Sequence, residues 1–376
     1  MNRPYQICTN CIMDTTDPDI IFDESGVCNH CLTYQTELPK RVFRGDEAKL
    51  QLEVIAKEIK AAGRRKEYDC IIGVSGGIDS TYVAYLVKKL GLRPLAIHFD
   101  NGWNSELAVS NIEKTLNILG IELYTYVVDW NEFKNLQLAF LEASTPDGEV
   151  PTDHAINALL FREAARRNIR YIISGMNYAT ESTGVPAWAY GHMDWRYIRS
   201  INKIFGAGKL TSYPHLSFFQ LAWWTLVRRI KSISILNYIE YNKEDAKALL
   251  ENKLGWVYYG GKHYESVYTR FFQGYILPRK YNIDKRIIHL SDLIKSGQLS
   301  RDNALREMQH NEYLFGDMVK DDEQFVRKKL SLTDAEFQRL MELPNKSFSA
   351  YPNSFRFVTR LKKLVNQLRY RGLVSR

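Results

Sequence analysis

Between residues 68 and 173 the chain alternates short apolar runs with longer stretches in which apolar residues recur every three or four positions. The runs 70–74 (CIIGV), 94–99 (PLAIHF), 123–128 (LYTYVV) and 171–173 (YII) are about strand length, and the stretches 80–90, 105–119 and 153–167 between them read as helices. Strands alternating with helices predict an α/β fold with a parallel sheet and helices on both faces. Ligands of such sheets bind at the carboxyl ends of the strands, so polar motifs just after a strand are the candidates for chemistry.

Outside this region the longest apolar run is 218–227 (FFQLAWWTLV), which contains Gln220 and is closed by Arg228 and Arg229. It falls well short of the roughly 20 residues a membrane span needs. A helix packed on the core with a solvated basic edge is the ordinary reading, and an interfacial helix is the other. Toward the C-terminus, Asp321 and Asp322 precede a charged helix-like stretch. Thr333-Asp334-Ala335-Glu336 reads as a capping box before Phe337, Leu340 and Met341. Pro344 and Pro352 bracket a loop, and 355–371 is basic and apolar at helical spacing. This tail is expected to pack, to dock a partner or to cover the active site. The expected division is an N-terminal cysteine region (1–50), a nucleotide core (51–200), a region completing the active site (201–310) and a helical tail (311–376).

With 45% hydrophobic and 25% charged residues in 376, the composition is that of a folded globular protein. A formal net charge of +8 favours anionic partners. The N-terminal stretch MNRPYQICTNC lacks the apolar run of a signal peptide, so a cytoplasmic address is expected.

Four of the five cysteines form two pairs, Cys8/Cys11 and Cys28/Cys31, separated by 16 residues. Two CxxC turns can close a tetrahedral sulfur shell around Zn²⁺, and a shell filled by sulfur leaves no position for substrate. A structural zinc knuckle is therefore expected, with His30 a bystander. Cys70, inside the first strand run, is expected to be buried and inert.

The sharpest motif follows that run: Val74-Ser75-Gly76-Gly77-Ile78-Asp79-Ser80. Two glycines allow close backbone approach to a ligand, and successive amides at a helix N-terminus direct partial positive charge at an anion. Ser75 and Ser80 add hydroxyls. A Walker A loop would place a lysine where this one carries Asp79, which disfavours γ-phosphoryl transfer and suits a carboxylate serving phosphate-bound Mg²⁺. The motif resembles the pyrophosphate loop of the N-type ATP pyrophosphatases, which include NAD synthetase, GMP synthetase, argininosuccinate synthetase and tRNA thiolation enzymes. The resemblance implies an adenine nucleotide α-hydrolase-like fold and cleavage of ATP to AMP and pyrophosphate. Two more stretches fit: 98–102, where His98, Asp100 and Asn101 would line the nucleotide pocket, and 174–181, where Gly175 would approach the nucleotide and Glu181 would bind Mg²⁺.

Farther on, Gly260-Gly261-Lys262-His263-Tyr264-Glu265-Ser266 leads into Arg270, then Lys285 and Arg286, and then Ser296-Gly297-Gln298-Leu299-Ser300-Arg301. Lys262, Arg270, Lys285 and Arg286 could neutralise a diphosphate or an acidic sugar. His263 and Glu265, two apart, share a face only in extended backbone and are candidate acid-base groups. With the knuckle and SGGIDS, this series resembles the N-acetyl sugar amidotransferase family of bacterial surface-polysaccharide (O-antigen) synthesis over about residues 5–310. The resemblance implies conversion of an acetamido group on a UDP-linked sugar to an acetamidino group through an adenylated intermediate. Asp79, Lys262, His263, Glu265 and Arg270 would be the catalytic set. No thiol remains for a glutaminase, so ammonia would come from a separate glutaminase subunit. That subunit, and a cyclase-like one, would resemble those of imidazole glycerol phosphate synthase, with no nucleic-acid partner. The rival readings are a tRNA-thiolating pyrophosphatase and, more remotely, a zinc-knuckle binding module without catalysis.

Overall fold

The computed structural model describes residues 4–310 and 312–360. The four apolar runs become β1 (Cys70–Gly73), β2 (Pro94–Asp100), β3 (Glu122–Val127) and β4 (Tyr171–Ser174), joined by β5 (Lys231–Ser234), a strand additional to those expected. All neighbours pair in parallel in the order β3-β2-β1-β4-β5. The chain moves outward from β1 to β3 and then returns to the other side of β1 with β4. The crevice between the ends of β1 and β4 is therefore the topological switch point.

Alternation within β1 shows why the central run is uniformly apolar. Ile71 packs with Ala155, Ala158 and Leu159 of the helix Val150–Arg166 on one side of the sheet. Cys70 and Ile72 pack with Val83, Ala84 and Val87 of the helix Ile78–Lys89 on the other. Both sheet faces are covered, so both sets of side chains must be apolar. Cys70 is fully buried, as expected, and burial pushes its thiol well above the ordinary value.

The helix expected at 80–90 spans Ile78–Lys89, that at 105–119 spans Glu106–Leu119, and that at 153–167 begins earlier, at Val150, with Pro151 in its first turn. The capping box is present: Thr333 accepts from the Glu336 amide, and the Glu336 carboxylate accepts from the Thr333 amide at 2.8 Å. Helices Met318–Leu330 and Asp334–Glu342 follow the expected tail. Residues 355–360 are helical, and the remainder of the expected 355–371 helix lies outside the described residues.

The run 218–227 packs on the core as expected, through Leu221 and Trp224, but by one edge only. It is helical, α then π, but none of its residues is buried, and Phe219 and Leu226 are 78% and 77% exposed. Only its inner edge is anchored, where Trp224 stacks on Phe161. Apolar composition alone did not supply a core partner for the rest.

Candidate active site at the sheet switch point

The glycine loop sits at the carboxyl end of β1 and opens directly into the helix Ile78–Lys89. Gly76 has φ +82°, and a Cβ there would lie 2.6 Å from the Ala108 carbonyl oxygen, so glycine is required. The same residue's carbonyl accepts from the buried indole of Trp256 at 2.8 Å. Ser75 Oγ accepts from the Gly77 amide at 3.3 Å and lies 3.2 Å from Ser80 Oγ, which itself donates to the Gly77 carbonyl. The loop is thus shaped from behind and from within, before any ligand arrives.

The flanking candidates divide into braces and open groups. His98 is buried: its Nδ1 lies 2.9 Å from the Val74 carbonyl and its Nε2 lies 3.0 Å from Asn104 Nδ2. Asp100 accepts from the Gly102 amide at 2.8 Å. Asn101 accepts from the Trp103 amide and donates to Thr152. Gly175, after β4, comes so close that a Cβ would sit 3.2 Å from the Asp79 carbonyl carbon. The two loops at the switch point therefore meet over Asp79.

Around Asp79 the charges converge. The Tyr241 hydroxyl donates to its carboxylate, and Lys243 Nζ is 3.9 Å away. Burial, together with the charge of Glu181, pushes the Asp79 carboxyl above its ordinary range against the pull of Lys243. Glu181 pairs with Lys262 at 3.2 Å. The two carboxylates and two lysines would suit a magnesium-bound polyphosphate, with Asp79 and Glu181 as oxygen ligands for the ion. His289 reports the same cationic surroundings. Burial, then the charges of Lys262, His263, Lys285 and Lys243, push its imidazole well below the ordinary value.

The segment 263–267 docks on the loop after β2: the Ser105 amide donates to the Glu265 carbonyl, and the Val267 amide to the Trp103 carbonyl, both at 2.9 Å. His263 adopts φ +66°, and its Nδ1 lies 3.7 Å from Glu265 Oε1. That oxygen is 3.3 Å from where a Gly77 Cβ would be, so the carboxylate lies on the glycine loop itself. Burial opposes its charge, but His263 and Lys262 hold the Glu265 carboxyl below its ordinary value, and Oε2 is buried without a hydrogen-bond partner.

Arg270 and Arg286 are engaged elsewhere. Arg270 forms a two-point pair with Asp322 at 2.6 and 2.7 Å, and Tyr313 donates to the same carboxylate. Arg286 grips Asp284 and the carbonyls of Glu307 and His310. Asp322 thus fastens the tail to the helix Val267–Phe271, and Lys329, which donates to the Gly102 carbonyl, fastens it to the loop that follows β2.

Lys285 faces a cluster that the sequence reading did not assemble: Asp147, Glu149, Asp153 and His192. His192 Nε2 lies 2.9 Å from Asp147 and 3.5 Å from Asp153. Although burial opposes its charge, these carboxylates raise the imidazole to about 9. Burial, then the charge of Asp153, pushes Glu149 up to about 8, and Thr269 donates to it at 2.6 Å. Tyr241 and Lys243 were also missed. Asp147, Glu149 and Asp153 are neighbours at the start of one helix, which was a signal of a kind, but no local spacing links them to His192 or Lys285, or Tyr241 and Lys243 to Asp79.

At the N-terminus, Cys8 Sγ lies 3.9 Å from Cys31 Sγ, Cys11 Sγ lies 3.7 Å from Cys28 Sγ, and all four sulfurs fall within 4.8 Å of one another. A tetrahedron of Zn–S bonds has edges of about 3.8 Å, so the donor set fits zinc. The Cys28 amide donates to Cys8 Sγ at 3.2 Å and the Asn10 side chain to Cys31 Sγ at 3.2 Å, bonds that favour thiolates. His30 is tied to Asp17 at 2.7 Å. Arg301 donates to the carbonyls of Cys8 and Cys11, fixing the first CxxC turn to the helix Arg301–Gln309.

Sequence comparison finds a likeness in the later part of the chain. Residues 265–364 match the family model described as LPS biosynthesis protein WbpG-like, C-terminal domain. That stretch of the chain is similar to a WbpG-like C-terminal domain. The matched stretch contains Glu265, Arg270, Lys285, Arg286 and the tail's Asp322 and Lys329, and the glycine loop precedes it. No curated protein matches the chain. Among solved structures, NH3-dependent NAD synthetase from Campylobacter jejuni is similar at 18% identity and TM-score 0.30, over 55% of this chain and 85% of that one. NMN synthetase from Francisella tularensis is similar at 17% identity and TM-score 0.29, over 61% and 93%. A predicted subunit of tRNA methyltransferase from Methanocaldococcus jannaschii gives 18% and 0.29, over 48% and 72%. The fold rests on this chain's own strand order and loop, ahead of the WbpG-like domain.

Proposed function

We propose that the protein uses ATP to adenylate the amide oxygen of an acetamido group on a UDP-linked sugar, and that ammonia then displaces AMP to give an acetamidino group. The observation that carries this reading is the meeting of the two switch-point loops over Asp79, with Glu181, Lys243 and Lys262 beside a glycine turn that has no Walker lysine. In the first step the amide oxygen bonds to the α-phosphorus and pyrophosphate leaves. The loop amides and the two lysines hold the departing diphosphate. Mg²⁺, held by Asp79 and Glu181, would supply charge neutralisation for the phosphates. In the second step nitrogen bonds to the amide carbon, the carbon–oxygen bond breaks, AMP takes the electron pair, and the nitrogen gives up a proton. Glu265, lying on the loop, and His263 beside it are assigned to orienting the amide and accepting that proton.

Lys285 is assigned to the sugar nucleotide, Arg270 and Arg286, held by Asp322 and Asp284, to bracing the segment that carries it, and the LPS-biosynthesis description of the matched stretch supports a sugar acceptor. Ammonia is assigned to a partner glutaminase working with a cyclase-like subunit. Cys70, buried and with its thiol pushed up, offers no thiolate at the loop, which favours the sugar over a tRNA-thiolating reaction. The test is incubation with ATP, Mg²⁺ and ammonium, with UDP-acetamido sugars or tRNA as acceptor. AMP formed only with a sugar upholds the proposal, and AMP formed only with tRNA refutes it.

A further inference from the structure

The helix that meets the core by one edge only lies within an unusual segment. From Trp195 to Ile239 the chain has seven Lys and Arg residues and no Asp or Glu, against a surplus of eight positive charges for the whole protein. All seven are exposed. Arg196, Arg199 and Lys203 recur at i, i+3 and i+7 on the helix Trp195–Phe205, and Arg228, Arg229 and Lys231 follow the exposed helix directly. On that second helix Phe219, Trp223 and Leu226, 78%, 58% and 77% exposed, fall at i, i+4 and i+7 and share one face. Both helices are fastened to one short segment: Ser200 donates to the Pro352 carbonyl, and Phe218 meets Phe357 edge to face at 5.7 Å.

We propose that this surface is a foot by which the protein binds peripherally to an anionic lipid bilayer. An aromatic and aliphatic face flanked by unopposed cations has the chemistry of an interfacial helix: Leu226 and Phe219 enter the acyl boundary, Trp223 lies at headgroup depth, and the arginines meet lipid phosphates. RNA would use the cations but gains nothing from an exposed leucine beside them. A protein partner would ordinarily meet mixed charge, and the segment brings cations with no acid of its own, the Glu132 carboxylate beside it being taken up by the amides of Thr211 to Tyr213. Among the described residues no helix is long and apolar enough to cross a membrane, so the attachment is to one leaflet. Arg228–Lys231 lead into the amino end of β5, whereas the glycine loop lies at the carboxyl ends of the same parallel strands. Docking by that end leaves the nucleotide cleft facing water.

The full-length protein is sedimented with vesicles of phosphatidylcholine alone and with about one third phosphatidylglycerol, at low and high salt. Binding to the anionic vesicles only, weakened by salt, is expected. A Phe219→Ser/Trp223→Ser variant and an Arg228→Glu/Arg229→Glu variant should each lose at least about tenfold in partitioning, with unchanged Tm. A blue shift of tryptophan emission on binding should vanish in Trp223→Phe. Equal binding to neutral vesicles, wild-type binding by the Phe219/Trp223 variant, or concealment of this face in a stable dimer or an RNA complex would each overturn the proposal.

Discussion

The cysteine knuckle and the glycine-loop cleft are both polar sites tied to the helix Arg286–Lys295, yet they are finished to different degrees. Ser291 accepts from the Ile12 amide on the knuckle side, while Asp292 accepts from Ser182 and Thr183, next to Glu181, on the cleft side. In the knuckle every candidate ligand is a buried sulfur, and backbone amides, Asn10 and Arg301 already occupy the space around them. In the cleft the carboxylates of Asp79 and Glu181 remain a quarter exposed, and Glu265 keeps a buried oxygen without a partner. A closed donor set stabilises a fold; unsatisfied charge around a rigid turn is what a reacting ligand can use.

The largest test of that contrast is Asp79→Ala. AMP release should fall by about 1,000-fold or more while the Tm stays near wild type, because the side chain holds ligand rather than core. Wild-type turnover would remove the carboxylate from the site. Cys8→Ser should do the reverse. Zinc content should collapse and stability should drop by roughly 3 kcal/mol or more, measured by metal analysis and thermal unfolding. Unchanged zinc stoichiometry would contradict the knuckle.

The acid cluster beside Lys285 sharpens the cleft side through pH. Glu149 has a folded-state value of about 8, above its unfolded value, so its contribution to stability is complete below about pH 4.5 and is lost as pH rises through 8. His192, raised to about 9, adds stability below about pH 6.5 that is lost as pH rises through 9. Stability from these two groups should therefore decline between about pH 4.5 and 9, most steeply from 6.5 to 8 where the windows overlap, and Glu149→Gln, which cannot ionise, should remove about 2 kcal/mol of the decline between pH 6.5 and 8, read by denaturant unfolding at each pH. Parallel curves for variant and wild type would contradict the assignment. The smallest effect is expected for Arg301→Ala, about 1 kcal/mol of stability with zinc retained, since it removes two hydrogen bonds to the CxxC turn and no ligand.

How far these features could be read beforehand follows from how local they are. Strands β1, β2 and β4 announced themselves because burial on both faces demands apolar runs, β3, an edge strand with no buried residue, because its run is β-branched and aromatic, and SGGIDS because a glycine turn between strand and helix is contiguous. β5 (KSIS) did not, since an edge strand of four half-exposed residues needs no apolar run. Tyr241 reaches Asp79 from 162 residues away, and His192 reaches Asp147 from 45, so no spacing rule could join them. Arg270 was legible as a cation but its engagement by Asp322 was not, because that partner lies in a helix of the tail. The run 218–227 was legible as an apolar helix, yet composition cannot say whether a core exists to receive it.

The most direct measurement is the phosphorus NMR spectrum of a turnover mixture containing ATP, Mg²⁺, ammonium and a UDP-acetamido sugar. AMP and pyrophosphate, in equal amounts and dependent on the sugar, are the expected products. ADP and orthophosphate would mean that the glycine turn holds a different leaving group, and the account of the cleft would fail.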